Sequence, residues 1–260
     1  TTGPLGQGLA NAVGMALARL VVFCAKVEYV PLPSSPKELC KQVKELSRSK
    51  AVNFSALLEF CWCRGVPVLF LKELPRGSKR VTGMALQIEN RPVVILGLNS
   101  KQNARQLFVL AHELAHICLG HIKDAGVLVD EGLPAVTDAI EGAIAGAQDA
   151  EERQADAFAL SMLRNGKTAR LSEEERTLSA AELASVAVGL GGKRGIDPGH
   201  LILSYANEHG DWLNANLALS YFPDSTDALR LVREKFIEWT ALDKITPENQ
   251  DYLLGAQGFL

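Results

Sequence analysis

This sequence of 260 residues has no excess of charge of either sign. Its 27 Lys and Arg against 30 Asp and Glu leave a formal net charge of −3. That balance offers no footprint for nucleic acid or an anionic membrane surface, so neither is expected as a direct partner. The chain also lacks a disulfide framework, because its five cysteines are odd in number and scattered. Cys61-Trp62-Cys63 has neither redox-pair nor zinc-ribbon spacing and reads as packing. A reducing, cytoplasmic compartment is the expectation. No uninterrupted apolar run is long enough to span a membrane. The longest stretch, Leu9 to Ala25, is broken by Asn11 and Arg19, and no basic n-region precedes it. A buried or disordered segment is therefore expected rather than a span or a signal peptide. Internal repeats and low-complexity tracts are absent too. What is present is a hydrophobic content of 47%, enough at this length for the core of one large domain or two small ones.

The stretch around which the chain is organised is Leu107 to His121, an apolar run containing His112-Glu113-Leu114-Ala115-His116. On a helix, residues four apart lie about 40° apart around the axis and roughly 6 Å along it. Both imidazoles can therefore reach one divalent ion, with Glu113 beside them to handle a water molecule. At 100° per residue, Leu107, Leu110, Leu114, Ile117 and Cys118 fall on the side away from His116, and Gly120 supplies the helix stop.

Two histidines do not complete a catalytic zinc site, which usually takes three protein ligands and leaves a fourth position open. The metzincin pattern requires glycine at position 119 and histidine at position 122, where this chain has Leu119 and Ile122. His121 remains an alternative third ligand, beside its plainer reading as a polar residue at the helix exit. The stronger candidate is Glu152, which shares a helix face with Asp156 and Ala159. That spacing suits a glutamate on the metal and an aspartate accepting the other N–H of a ligand histidine, as in thermolysin-like gluzincins. Without the upstream H-E-x-x-H, the same pair would read as an ordinary solvated helix face.

Around this centre the expected order is helices Pro36–Ser49 and Phe54–Cys63, then a strand Val66–Leu71. A hairpin follows, Val81–Ile88 with Pro92–Leu98, leading into the metal helix. An edge strand of such a sheet can pair with a substrate peptide by β-addition. His121 to Thr137 reads as a loop and Glu141 to Asn165 as a helix. The remainder is helical: Ser179–Leu190, Asp197–Glu208, Trp212–Tyr221, Thr226–Leu242 and a last turn over Asn249–Leu254. The first two helices imitate a helix-turn-helix but have no basic recognition face, so DNA binding is not expected. His200, Tyr205, His209 and Tyr221 are the tail residues that could donate to an oxyanion.

The stretches Gln106 to His121 and Glu152 to Leu160 together resemble the ImmA/IrrE family of zinc metallopeptidases, whose members carry H-E-x-x-H-x-x-L-G-H followed by E-x-x-A-[DN]-x-F-A. Gly65-Val-Pro-Val-Leu and Arg91-Pro-Val-Val-Ile-Leu fit that family's small sheet, and the resemblance covers roughly Pro36 to Asn165. It implies an α+β, zincin-like domain with His112, His116 and Glu152 on Zn2+, Glu113 as the base and Asp156 behind the ligands. It further implies a regulatory endopeptidase whose protein substrate is a helix-turn-helix repressor. The alternative is a non-catalytic partner-binding scaffold of a toxin–antitoxin or phage-regulatory pair. Two features depart from the family: Leu160-Ser-Met-Leu-Arg-Asn165 stands where L-L-M-P is usual, and no helix-turn-helix domain is evident. Residues 1–18 separately resemble a transketolase segment that helps line a thiamine diphosphate pocket. Nothing after them builds that pocket, so they are expected to be a remnant without function. The expected organisation is 1–30 as a non-family segment, 31–166 as the metallopeptidase domain and 167–260 as a helical region.

Overall fold

The computed structural model describes residues 4–74, 78, 81–122, 127–130, 148–171, 178–222 and 227–260. Among them are ten α-helices and a sheet of four strands. In chain order the first elements are α1 (Pro4–Cys24), α2 (Pro36–Ser47), α3 (Phe54–Cys63), β1 (Val68–Phe70), β2 (Gly83–Ile88), β3 (Arg91–Leu96), α4 (Asn103–Leu119) and β4 (Val127–Asp130). The helical remainder comprises α5 (Gln148–Leu163), α6 (Ala180–Arg194), α7 (Pro198–His209), α8 (Trp212–Leu219), α9 (Ala228–Trp239) and α10 (Pro247–Ala256).

Local chemistry accounts for the boundaries. Asn53 caps α3, its side-chain oxygen accepting from Ala56 N at 2.9 Å. Ser179 and Glu182 close a capping box on α6. Prolines occupy the first turns of α2, α7 and α10, where a missing N–H costs nothing. The hairpin of β2 and β3 turns through Glu89-Asn90, with Glu89 at φ 53°, the conformation expected of a two-residue hairpin loop.

The sheet runs β1-β3-β2-β4, with β1 parallel to β3 and the other pairs antiparallel. Its two central strands are buried almost throughout, so both faces must be covered. Strand alternation shows by what. A Cβ on Gly14 of α1 would lie 2.9 Å from Met84 Sδ and 3.4 Å from Ile95 Cδ1, so α1 lies on the face carrying Met84 and its register partner Ile95. The opposite face carries Gly83, which backs directly onto Glu113 of α4. The result is three layers, α1, sheet and α4.

One feature differs from the sequence expectation. Val127–Asp130 form a strand on the outer edge of β2, inside what was expected to be a loop. Here the backbone pairing of Gly83 through Leu86 supplies partners that local composition does not reveal. The start of the expected Glu141 helix lies outside the described residues.

The buried side chains of the described residues fall into two clusters. Ala10, Leu17, Ala18, Val21 and Cys24 of α1 join the core built on the sheet, and so do Val232 and Phe236 of α9 and Leu253 of α10. Backbone bonds tie these ends together: Lys26 N donates to Trp239 O at 3.0 Å and Ala241 N to Cys24 O at 2.8 Å. Helices α6, α7 and α8 build a second, smaller core that reaches α4 through Ala104. The buried option for the long apolar stretch is thus the one realised, with Arg19 on its exposed side. Among the described residues no helix is long and apolar enough to cross a membrane.

Candidate metal centre

Helix α4 runs through the middle of the molecule. Leu107, Leu110 and Leu114 are fully buried, as the apolar stripe requires, but His112, Glu113 and His116 are at most 1% exposed as well. The polar side is covered by α5, which approaches closely because Ala155 and Ala159 face inward, both fully buried. Buried imidazoles persist only where they are partnered, and α5 provides partners for the two histidines.

His112 Nε2 lies 3.1 Å from Glu152 Oε2 and 2.9 Å from His116 Nε2, while His116 Nε2 lies 3.6 Å from Glu152 Oε2. His112, His116 and Glu152 form the one group among the described residues whose ligand atoms converge closely enough to hold a metal ion. On the far side of the first ring, His112 Nδ1 stands 2.9 Å from Asp156 Oδ1. The carboxylate accepts, so Nδ1 carries the proton and Nε2 presents a lone pair. That lone pair points at a carboxylate oxygen, another acceptor. Two acceptors at 3.1 Å repel unless positive charge lies between them.

A divalent cation meets that requirement. Ligand atoms about 2.0–2.1 Å from a tetrahedral ion stand about 3.3 Å apart, and the three observed separations fall on either side of that value. Two imidazole nitrogens and one carboxylate oxygen are a suitable donor set. Without an ion, a proton on an imidazole does the same work. Burial alone would raise the pKa of Glu152, but hydrogen bonds from His112 and His116 outweigh it and bring it down to about 2.

Glu113 projects from α4 toward β2. A Cβ on Gly83 would come within 2.8 Å of Glu113 Cδ and closer still to Oε1. Only a residue without a side chain lets the strand pass this close to the carboxylate. Sequence reasoning missed Gly83. The only signal was a glycine at the head of a strand pattern, which suggests close backbone approach without saying to what.

The structure thus brings His112, His116, Glu152 and Asp156 together, with Glu113 beside them on α4. His121 is not in the ligand cluster; its Nδ1 contacts the back of His116, Nδ1 to Nδ1, at 2.9 Å. The tail residues considered as oxyanion donors have their contacts elsewhere. His200 stacks on Phe108 with ring centroids 6.4 Å apart, and burial, with Arg164 adding to it, pushes its pKa down to about 3. The Tyr205 hydroxyl accepts from Leu178 N at 3.1 Å, its ring packs on His209, and Tyr221 is exposed.

Residues 61–186, the stretch from α3 through α4 and α5 into α6, match the peptidase family described as IrrE N-terminal-like domains. No curated protein and no solved structure matches the chain.

Proposed function

Because residues 61–186 belong to the ImmA/IrrE-type peptidase family, we propose that this protein is a zinc-dependent endopeptidase of the cytoplasm that cuts a protein substrate, a helix-turn-helix repressor, in regulatory proteolysis. The observation that carries the reading is the convergence of His112 Nε2, His116 Nε2 and Glu152 Oε2, with Glu113 on the same helix as the two histidines. Zinc bound there supplies Lewis-acid polarisation of water and of a scissile carbonyl. His112 and His116 bind through their Nε2 lone pairs, and Asp156 holds the proton of His112 on Nδ1. Glu113 takes a proton from the attacking water and passes it to the departing amine. The five cysteines are free, which accords with a reducing compartment.

The test is incubation of the full chain with the repressor encoded beside it. Chelator-sensitive cleavage is expected, abolished by Glu113→Gln while zinc content stays at one per chain. Glu152→Ala should lose the metal itself. Zinc binding with no cleavage of any peptide by wild type would instead make the protein a partner-binding scaffold. Cleavage by Glu113→Gln at the wild-type rate would remove Glu113 from the base role.

A further inference from the structure

His121 has no task in the reaction just outlined, yet both of its ring nitrogens have partners. Gly120 turns the chain at the end of α4 with φ 71°, and His121 N then donates to His116 O at 3.0 Å. Residue 121 therefore folds back over the last helical turn. Its Nδ1 stands 2.9 Å from His116 Nδ1, the ring planes meeting at 64°. Its Nε2 stands 3.2 Å from Gln154 Oε1, and Gln154 lies on α5 between Glu152 and Asp156.

Two imidazole nitrogens at this distance form a hydrogen bond only if one donates and the other accepts. If His116 is to offer its Nε2 lone pair to a metal, its proton sits on Nδ1. His121 Nδ1 is then the acceptor, its own proton sits on Nε2, and Gln154 Oε1 accepts that. The two bonds, Nδ1–H to Nδ1 and Nε2–H to Oε1, are mutually consistent in a single pair of tautomers. The opposite assignment puts the His116 proton on Nε2, facing His112 Nε2 at 2.9 Å, and removes one ligand atom.

We propose that His121, aligned by Gln154, is the positioning residue that holds His116 in its metal-binding tautomer and orientation, as Asp156 does for His112. The proposal rests on the metal-centre reading. It also accounts for an asymmetry: one ligand histidine leans on a carboxylate and the other on a neutral ring. A second carboxylate behind His116 would add another negative charge to a site that already holds Glu152 and Asp156.

The experiment measures zinc affinity of the full chain by competition with a chromogenic chelator, alongside thermal unfolding of the metal-free protein. His121→Ala should weaken zinc binding about 10- to 100-fold, the usual effect of removing a partner behind a metal ligand. In His121→Asn the side-chain Oδ1 replaces Nδ1 as acceptor, so most of the affinity should return. Gln154→Leu should give a smaller loss of the same kind. Metal-free midpoints should stay within a few degrees of wild type throughout. Unchanged affinity in His121→Ala overturns the proposal and leaves the metal centre standing. An Asn variant as weak as Ala, or an affinity loss matched by an equal loss of metal-free stability, overturns it in favour of a purely structural role. Wild-type protein that holds no zinc overturns both this proposal and the metal-centre reading.

Discussion

At the scale of single residues, one missing side chain sets the position of Glu113 and one buried imidazole sets a response to acid. Gly83 lets β2 pass against Glu113, and any Cβ there forces the carboxylate to move. Gly83→Ala should therefore spare zinc binding, because the His112–His116–Glu152 cluster is not touched, while displacing Glu113, the proposed base. A displacement of about 1 Å costs on the order of 100-fold in rate, so kcat should fall by roughly that factor. Wild-type turnover with the alanine in place would show that Glu113 is not held by this contact. His200 is the second case. It is 3% exposed, its Nε2 has no hydrogen-bond partner among the described residues, and its pKa is pushed down to about 3 by burial and then by Arg164. Its folded value lies below the ordinary histidine value of 6.5, so the unfolded chain takes up a proton first as pH falls. Stability is therefore intact above about pH 6.5, declines below it, and levels off near pH 3. Each unit in that window is worth at most about 1.4 kcal/mol, or about 2 kcal/mol between pH 6.5 and pH 5. Urea unfolding at pH 7.5 and pH 5 should show this loss in wild type and much less of it in His200→Leu. An equal loss in both would assign the acid sensitivity to other groups.

At the scale of elements, α4 and α5 show what could be read in advance and what could not. The four-residue spacings of His112 with His116 and of Glu152 with Asp156 put each pair on one helix face, so the residues that converge were legible once both stretches were taken as helices and read together. The buried stripe of Leu107, Leu110 and Leu114 was legible for the same reason. Three things were not. Gly83 meets Glu113 through a close approach between elements well apart in sequence, and no local pattern records it. β4 exists because β2 offers an edge, not because Val127–Asp130 insist on extension. His121 looked like a candidate ligand or a helix-exit residue because spacing says nothing about the reversal at Gly120. The α4–α5 approach itself is testable. Ala155 and Ala159 are fully buried where the two helices meet, and enlarging a packed position costs about 1–3 kcal/mol and shifts backbone. Ala159→Leu should move α5 outward and weaken zinc binding at least tenfold, with the helix content seen by circular dichroism retained. Wild-type affinity in that variant would mean that α5 is not positioned by this packing.

At the scale of the whole molecule, the metal helix is clamped from both ends of the chain. The first helix covers the Met84–Ile95 face of the sheet whose other face presents Gly83 to Glu113, and α9 and α10 close the same core. Lys235 of α9 pairs with Glu59 of α3, and the main chain joins Lys26 to Trp239. Helix α1, expected from its sequence to be a remnant without function, is thus built into the fold as core. Its sequence said nothing about this, because a run of Ala, Leu and Val with a single charged residue, Arg19, serves any sheet that needs covering. The consequence can be measured. Leu17 is fully buried and Leu213 is 86% exposed. Deleting a buried leucine costs about 2–5 kcal/mol, a large part of the roughly 5–15 kcal/mol by which a domain is stable, whereas an exposed one costs under about 0.5 kcal/mol. In zinc-free protein, Leu17→Ala should lower the unfolding midpoint sharply and Leu213→Ala barely at all. Because α1 supports β2 from behind, Leu17→Ala should also loosen the Gly83–Glu113 contact before global unfolding. Proteolytic susceptibility of the β2–β3 hairpin should then rise at temperatures where wild type is resistant. Equal midpoints for the two variants would mean that α1 lies on the sheet without contributing to its stability. The metal centre would then depend on the residues of the family-matched region and not on the chain that precedes them.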